Sequence, residues 1–291
     1  MDIWSAVIPV LKITFYLASL GTTGTILFLF HFKPHLSGES FAYCSNVIKN
    51  GSLLGMSASA ASFFSIAGNM GGEFKSVFDS IMLGLAFETS SGLSAIAALV
   101  GFTSILFWNQ LKRVEQKFFA LLGLGAVFLS FSITGHSTLD GFFTQTLLLV
   151  HLFGVSFWLG SFLPLRHMCQ SNDKNNLPIV AKRFGVFATF YVGIMALAGF
   201  IFAYILLGGF SPLVTTSYGN TLLIKFVLVS LLMLLGALNK FKLVPMLSSN
   251  QSLGAEKLQQ SINLEIILAF LVLTATSLLT TSLDLPINTQ T

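Results

Sequence analysis

The chain has 291 residues, 54% of them hydrophobic and 9% charged, with a formal net charge of +4. A globular protein carries roughly 25% charged residues, so this chain cannot wet its own surface and its solvent is largely lipid. In lipid the backbone satisfies its hydrogen bonds only as helices or a closed barrel. The apolar runs lack the period-2 alternation of barrel strands, so the fold class is an all-α polytopic membrane protein.

Eight stretches supply the about 20 apolar residues needed to cross a ~30 Å hydrocarbon core. They are 3–32, 43–68, 88–108, 118–135, 142–165, 184–207, 219–243 and 261–283. Asp2 stands where a signal peptide carries its basic start, and no small-residue cleavage site follows a short core, so the first span is expected to be retained. Residues 76–87 (SVFDSIMLGLAF) are apolar but too short to cross, and are expected to lie in the interface or dip back into the protein. The 172–176 run (NDKNN) reads as a solvated turn, and Gly208-Gly209-Phe210-Ser211-Pro212 breaks the sixth span.

Two spans open alike, with Thr89-Ser90-Ser91-Gly92 and Thr216-Ser217-Tyr218-Gly219. Four spans per half then suggest two parallel four-helix repeats, 1–135 and 136–291, related by an axis along the membrane normal. Chance, or a shared helix-start preference for Thr and Ser, explains the same match equally well.

Basic residues are concentrated in alternate loops. Lys33, Lys112, Arg113, Lys117, Arg166, Lys174, Lys182, Arg183, Lys240, Lys242 and Lys257 fall at one end, against Lys75 alone at the other. Positive loops stay inside, so both termini are expected to be extracytoplasmic. Cys44 and Cys169 fall near the cytoplasmic face and are too far apart in sequence for a CxxC site, so both read as reduced thiols.

Ionisable residues inside a bilayer are costly and point to function. His151 lies about 15 Å into the fifth span at 1.5 Å per residue, with Gly154, Val155 and Trp158 on its face. An imidazole there requires a metal, a proton relay or a hydroxyl on a neighbouring helix. His136, after Thr134-Gly135 at the outer end of the fourth span, stands above it and is also an ordinary interfacial residue in type. Glu88 occupies another outer helix end. Lys12 and Lys225 lie roughly 9 Å inside their spans, and can snorkel or pair with buried acceptors. Glu265, Asn239 and Asn263 read as an inner polar latch.

Met70 and Met82 bracket the apolar loop, and thioethers select Cu(I), although methionine is also a common filler of apolar gaps. No P-loop, nucleophile elbow, HExxH or GxGxxG-then-acid pattern occurs. That argues against hydrolysis, phosphoryl transfer, nicotinamide chemistry and ATP-driven pumping, and the chain is not expected to be an enzyme.

A set of these residues, taken in order, resembles the CopD copper-resistance family. It comprises Gly135-His136, His151 with Trp158-Leu159-Gly160, Arg183-Phe184, Gly199, the run from Thr215 to Lys225, Asn239, Pro245, Glu265 and Pro286. The resemblance covers about residues 130 to 286; the earlier part fits in span count. It implies an eight-span inner-membrane permease moving copper ions toward the cytoplasm, often beside a periplasmic CopC-type copper-binding protein. It also implies His136 and His151 as copper ligands, with Trp158, Lys225, Asn239 and Glu265 as framework or gating residues and Arg183 opening its helix. Some members carry a fused soluble copper-binding domain; if this chain needs one, another polypeptide is expected to supply it.

On this reading copper meets His136, Met70 and Met82 at the outer face, passes to His151 and leaves near the inner polar cluster. The alternative is a b-type haem electron-transfer protein, which needs two histidines at facing depths. His136 and His151 differ by roughly 10–15 Å along the normal, which disfavours one haem between them.

Overall fold

A computed structural model describes residues 3–108, 113–134, 141–171 and 175–286, with residues 113–117 described by their backbone alone. Among the described residues every regular element is helical. The long elements are α1 (Trp4–Phe32), α2 (Gly38–Gly71), α4 (Ser90–Trp108), α5 (Arg113–Ile133), α6 (Phe142–Gly160), α8 (Leu177–Leu207), α10 (Ser217–Leu238) and α12 (Gln251–Thr281). Short helices α3 (Ser80–Glu88), α7 (Phe162–Gln170), α9 (Pro212–Thr215) and α11 (Val244–Ser249) join or extend them. Seven helices are long and apolar enough to cross a membrane, and the remaining predicted span is the shorter apolar stretch Phe118–Ile133 of α5. Large apolar side chains such as Phe30, Leu121 and Phe142 point outward, 83%, 71% and 84% exposed, as a lipid solvent requires.

Helix ends follow local chemistry. Ser37 accepts a hydrogen bond from the Ser40 amide and starts α2 before the predicted span, while Asp79 accepts from the amides of Ile81 and Met82 and starts α3. The fifth predicted span is broken at Ser161, whose hydroxyl donates to the Phe157 carbonyl, and α7 continues with Pro164 in its first turn. Gly208, at φ 65°, terminates α8 in the left-handed conformation.

α1 is the innermost long helix, packed against α2, α6 and α12. Its crossing with α6 is backbone to backbone, since a Cβ on Gly24 would overlap Ser156 and one on Gly160 would overlap the Gly24 backbone. Thr23 donates to the Ser156 hydroxyl at 3.2 Å and Thr25 to the Gly160 carbonyl at 3.4 Å across the same seam. Without a hydrophobic force between lipid-bathed helices, such close small-residue packing and interhelical hydrogen bonds supply the association. α12 is tied to α1 by Ser277, whose hydroxyl donates to the Pro9 carbonyl at 2.9 Å.

The two Thr-Ser-x-Gly starts have one local geometry. Thr89 accepts from the Gly92 amide at 2.9 Å and Thr216 from the Gly219 amide at 3.0 Å, each after a short helix. Beyond the caps the halves pack differently: α2 runs along α4, whereas α8 meets α11 rather than running along α10. The apolar loop at 76–87 forms the end of a 3-10 turn followed by α3, with Ala86 buried beside α4 and Phe78, Ile81 and Phe87 exposed.

Candidate functional site

His151 lies nine residues into α6, about 14 Å from its start. Its Nδ1 is 2.9 Å from the Met195 carbonyl oxygen on α8. A carbonyl only accepts, so Nδ1 carries the hydrogen and Nε2 of the neutral ring keeps its lone pair. The ring occupies room left by Gly199, where a Cβ would come within 2.7 Å of Nδ1. One turn along the same seam, a Cβ on Gly154 would meet Met195 and the Tyr191 backbone, so glycines bring α6 and α8 together around the imidazole. Lys225, half-buried on α10, lies within electrostatic reach of the ring.

The predicted inner cluster divides into two. Glu265, only 2% exposed on α12, accepts from Asn239 Nδ2 at 2.8 Å, with Trp158 beside it across Gly236. Asn263 instead accepts from Arg166 Nε at 2.7 Å, so it belongs to a separate contact between α12 and α7. Asn239 opens a single π-helical turn, Asn239–Leu243, between α10 and α11. Such turns re-aim side chains and recur at functional sites.

At the opposite end, Met82 is half-buried against the end of α2, its Cγ 3.7 Å from where a Gly71 Cβ would stand. Met70 is 47% exposed in the last turn of α2, and Glu88 is exposed at the end of α3. The fold thus brings both thioethers to one end of the molecule, while His151 stands apart from them in mid-helix. His136 lies outside the described residues. Among the described residues no three His, Cys, Asp or Glu side chains gather as a metal cluster.

Two histidines that the sequence reading passed over occupy the basic end. His31 Nδ1 is 2.8 Å from the Leu27 carbonyl, and its Nε2 is 3.4 Å from the Tyr191 hydroxyl. It lines an apolar cavity of about 740 Å³ with Phe128, Phe153, Phe187, Phe190 and Tyr191. One turn further, His35 Nε2 accepts from Arg183 Nη1 at 2.6 Å, which fastens the end of α1 to the start of α8. The i, i+4 spacing of His31 and His35 was the visible signal. Nearby, His167 stacks on Tyr43 with ring centroids 4.0 Å apart.

Residues 1–146 match the family described as copper resistance protein D-like, N-terminal domain, and residues 178–279 match copper resistance protein D. The chain is 27% identical over 235 residues to the inner membrane protein YebZ of Escherichia coli (strain K12), covering 77% of this chain and 79% of that protein. No solved structure matches. The first match spans half of the sequence and includes the region before residue 130 where only the span count had pointed this way. The chain is a helical, multi-pass membrane protein that belongs to the copper resistance protein D family.

Proposed function

We propose that the protein is a copper permease of the inner membrane, which moves copper ions from the periplasmic side toward the cytoplasm through a station at His151. The observation that carries this reading is the His151 tautomer. Nδ1–H is held by the Met195 carbonyl, and that leaves Nε2 as the ligand, the arrangement by which second-shell carbonyls orient metal-binding histidines. The family match supports copper as the cargo, and the inner-membrane relative supports the location.

A conducted ion must bind well enough to enter and loosely enough to leave. A lone imidazole with the Lys225 ammonium in range suits passage better than a four-ligand cage, because the like charge opposes long residence. The lysine and arginine asymmetry favours both termini outside the cytoplasm. On that orientation Met70, Met82 and His136 meet copper first, and a CopC-type periplasmic protein is the natural donor. The haem alternative finds no support at the cavity beside His31, which is lined by no second histidine among the described residues.

The test is copper accumulation in cells carrying His151→Ala, with correct insertion checked by detergent-solubilised size exclusion. Loss of accumulation in a folded variant supports the reading, and accumulation equal to the parent's reduces His151 to an interhelical hydrogen bond.

A further inference from the structure

Glu265 is the most deeply buried acidic side chain among the described residues, at 2% exposure. One side chain, Asn239, acts on it. Asn239 Nδ2 donates to Oε2 at 2.8 Å, while Asn239 Oδ1 is buried without a hydrogen-bond partner. The other carboxyl oxygen faces Gly236, where a Cβ would stand 3.7 Å from Oε1 and 3.6 Å from the Trp158 ring.

The charged and titratable groups on the surrounding elements are engaged elsewhere or exposed. On α7, Arg166 donates to Asn263 and His167 stacks on Tyr43. On α1, Lys12 lies over the Tyr16 ring, and His31 is engaged by the Leu27 carbonyl and the Tyr191 hydroxyl. In the π turn, Lys240 donates to the Thr189 hydroxyl and Lys242 is exposed. On α12 itself, Glu256 and Lys257 are exposed. On α10, Lys225 lies fourteen residues before Asn239, about 21 Å along the helix, and on α6 His151 is bound to Met195. α11 carries no ionisable side chain.

An ionised carboxylate only accepts hydrogen bonds. In that state Glu265 would be a buried charge with no cation beside it among the described residues, next to a second buried acceptor with no donor, which is a costly arrangement. One proton on the carboxyl removes both faults, because the acid O–H can donate to Asn239 Oδ1 while Nδ2–H donates to Oε2. The two groups then form a closed acid–amide pair. The π turn that starts at Asn239 links this pair to the exposed lysine-bearing end of the molecule.

We propose that Glu265 is a proton-carrying residue, loaded as the neutral acid in its pair with Asn239 and discharged to water at the basic end, so that copper movement is coupled to proton movement. Loading forms one O–H bond with a proton from water, and discharge breaks it and returns the proton to water on the other side. The coupling half of the proposal rests on the permease reading; the proton site does not.

The experiment is pH-difference infrared spectroscopy of the purified full chain in lipid nanodiscs without copper, followed by copper flux into proteoliposomes under an imposed pH gradient. The un-ionised carbonyl band of a buried acid is expected in the parent, lost in Glu265→Gln and shifted in Asn239→Ala. A band unchanged in Glu265→Gln overturns the proton site. If that variant fails to insert, the Asn239→Ala spectrum decides, and an unshifted band overturns the pairing. In flux, the parent is expected to respond to the gradient, and Glu265→Gln to lose that response. A parent flux indifferent to the gradient overturns the coupling. A parent that shows the band but moves no copper leaves the proton site standing and removes the permease reading instead.

Discussion

The imidazole Nδ1 of His151 is hydrogen-bonded to the carbonyl oxygen of Met195, 2.9 Å away on the neighbouring helix. That bond selects the tautomer, fixes the ring against α8 and leaves the Nε2 lone pair outside it. It is possible because position 199 lacks a side chain: a Cβ there would come within 2.7 Å of Nδ1 and 2.8 Å of Cε1.

Gly199→Ala should therefore behave like a partial loss of His151. The added methyl expels the ring from its bond, at an overpacking cost of about 1–3 kcal/mol, while leaving the imidazole present. Copper accumulation is expected to fall well below the parent's with the protein still inserted. Parent-like accumulation by Gly199→Ala would mean that ring orientation is irrelevant to transport.

The outer stations should load in sequence. The span boundaries read from the sequence predict a depth difference of roughly 10–15 Å between His136 and His151, too far for one ion to touch both. His136→Ala should weaken uptake most at low external copper and be partly rescued at high copper, whereas His151→Ala should not be rescued. A copper titration of uptake for both variants checks this, and identical, unrescued losses would point to one shared site.

The α1–α6 crossing should be the least tolerant seam in the molecule. Gly160→Leu places a branched side chain where even a Cβ meets the Gly24 backbone, and neither helix backbone can yield cheaply. Thermal stability in detergent should drop sharply, by roughly 3 kcal/mol or more in the terms of overpacked cores, or the protein should fail to accumulate. Gly193→Leu, where a Cβ meets nothing within 4 Å, is the matched control and should be near neutral.

Orientation is open to labelling. With Cys44 and Cys169 replaced, a cysteine at the exposed position Asn175 should resist a membrane-impermeant thiol reagent added to intact cells, and one at the exposed position Lys75 should react. The reverse pattern would invert the topology and with it the direction of transport.

Much of this protein was legible before any coordinates, because a lipid solvent leaves the backbone few choices. Apolar length located the spans, and alternate basic loops supplied an expected orientation that the labelling experiment tests. The misses were local and have local causes. α2 and α12 extend beyond the predicted spans because their first turns are polar, and α8 because Lys182 and Arg183 interrupt its apolar start; helical hydrogen bonding does not require an apolar side chain. The fifth span broke at Ser161, before Pro164, which hydropathy alone does not register.

The candidate site was legible as residue types but not as partnerships. His151, Glu265 and Asn239 stood out because an ionisable or amide group in a membrane helix needs a partner. Which partner each found depended on the rotation and crossing of helices far apart in sequence. Asn239 reached Glu265 across 26 positions, Asn263 turned to Arg166 instead, and His151 found a backbone carbonyl 44 residues on. His31 and His35 were passed over because they sit among basic residues at a helix end, and only the approach of Tyr191 and Arg183 on α8 gave them a setting. Solvent chemistry is encoded residue by residue, so sequence alone determined the helices and their membrane; side-chain pairing across the bundle is a property of packed surfaces, and only the tertiary structure could decide it.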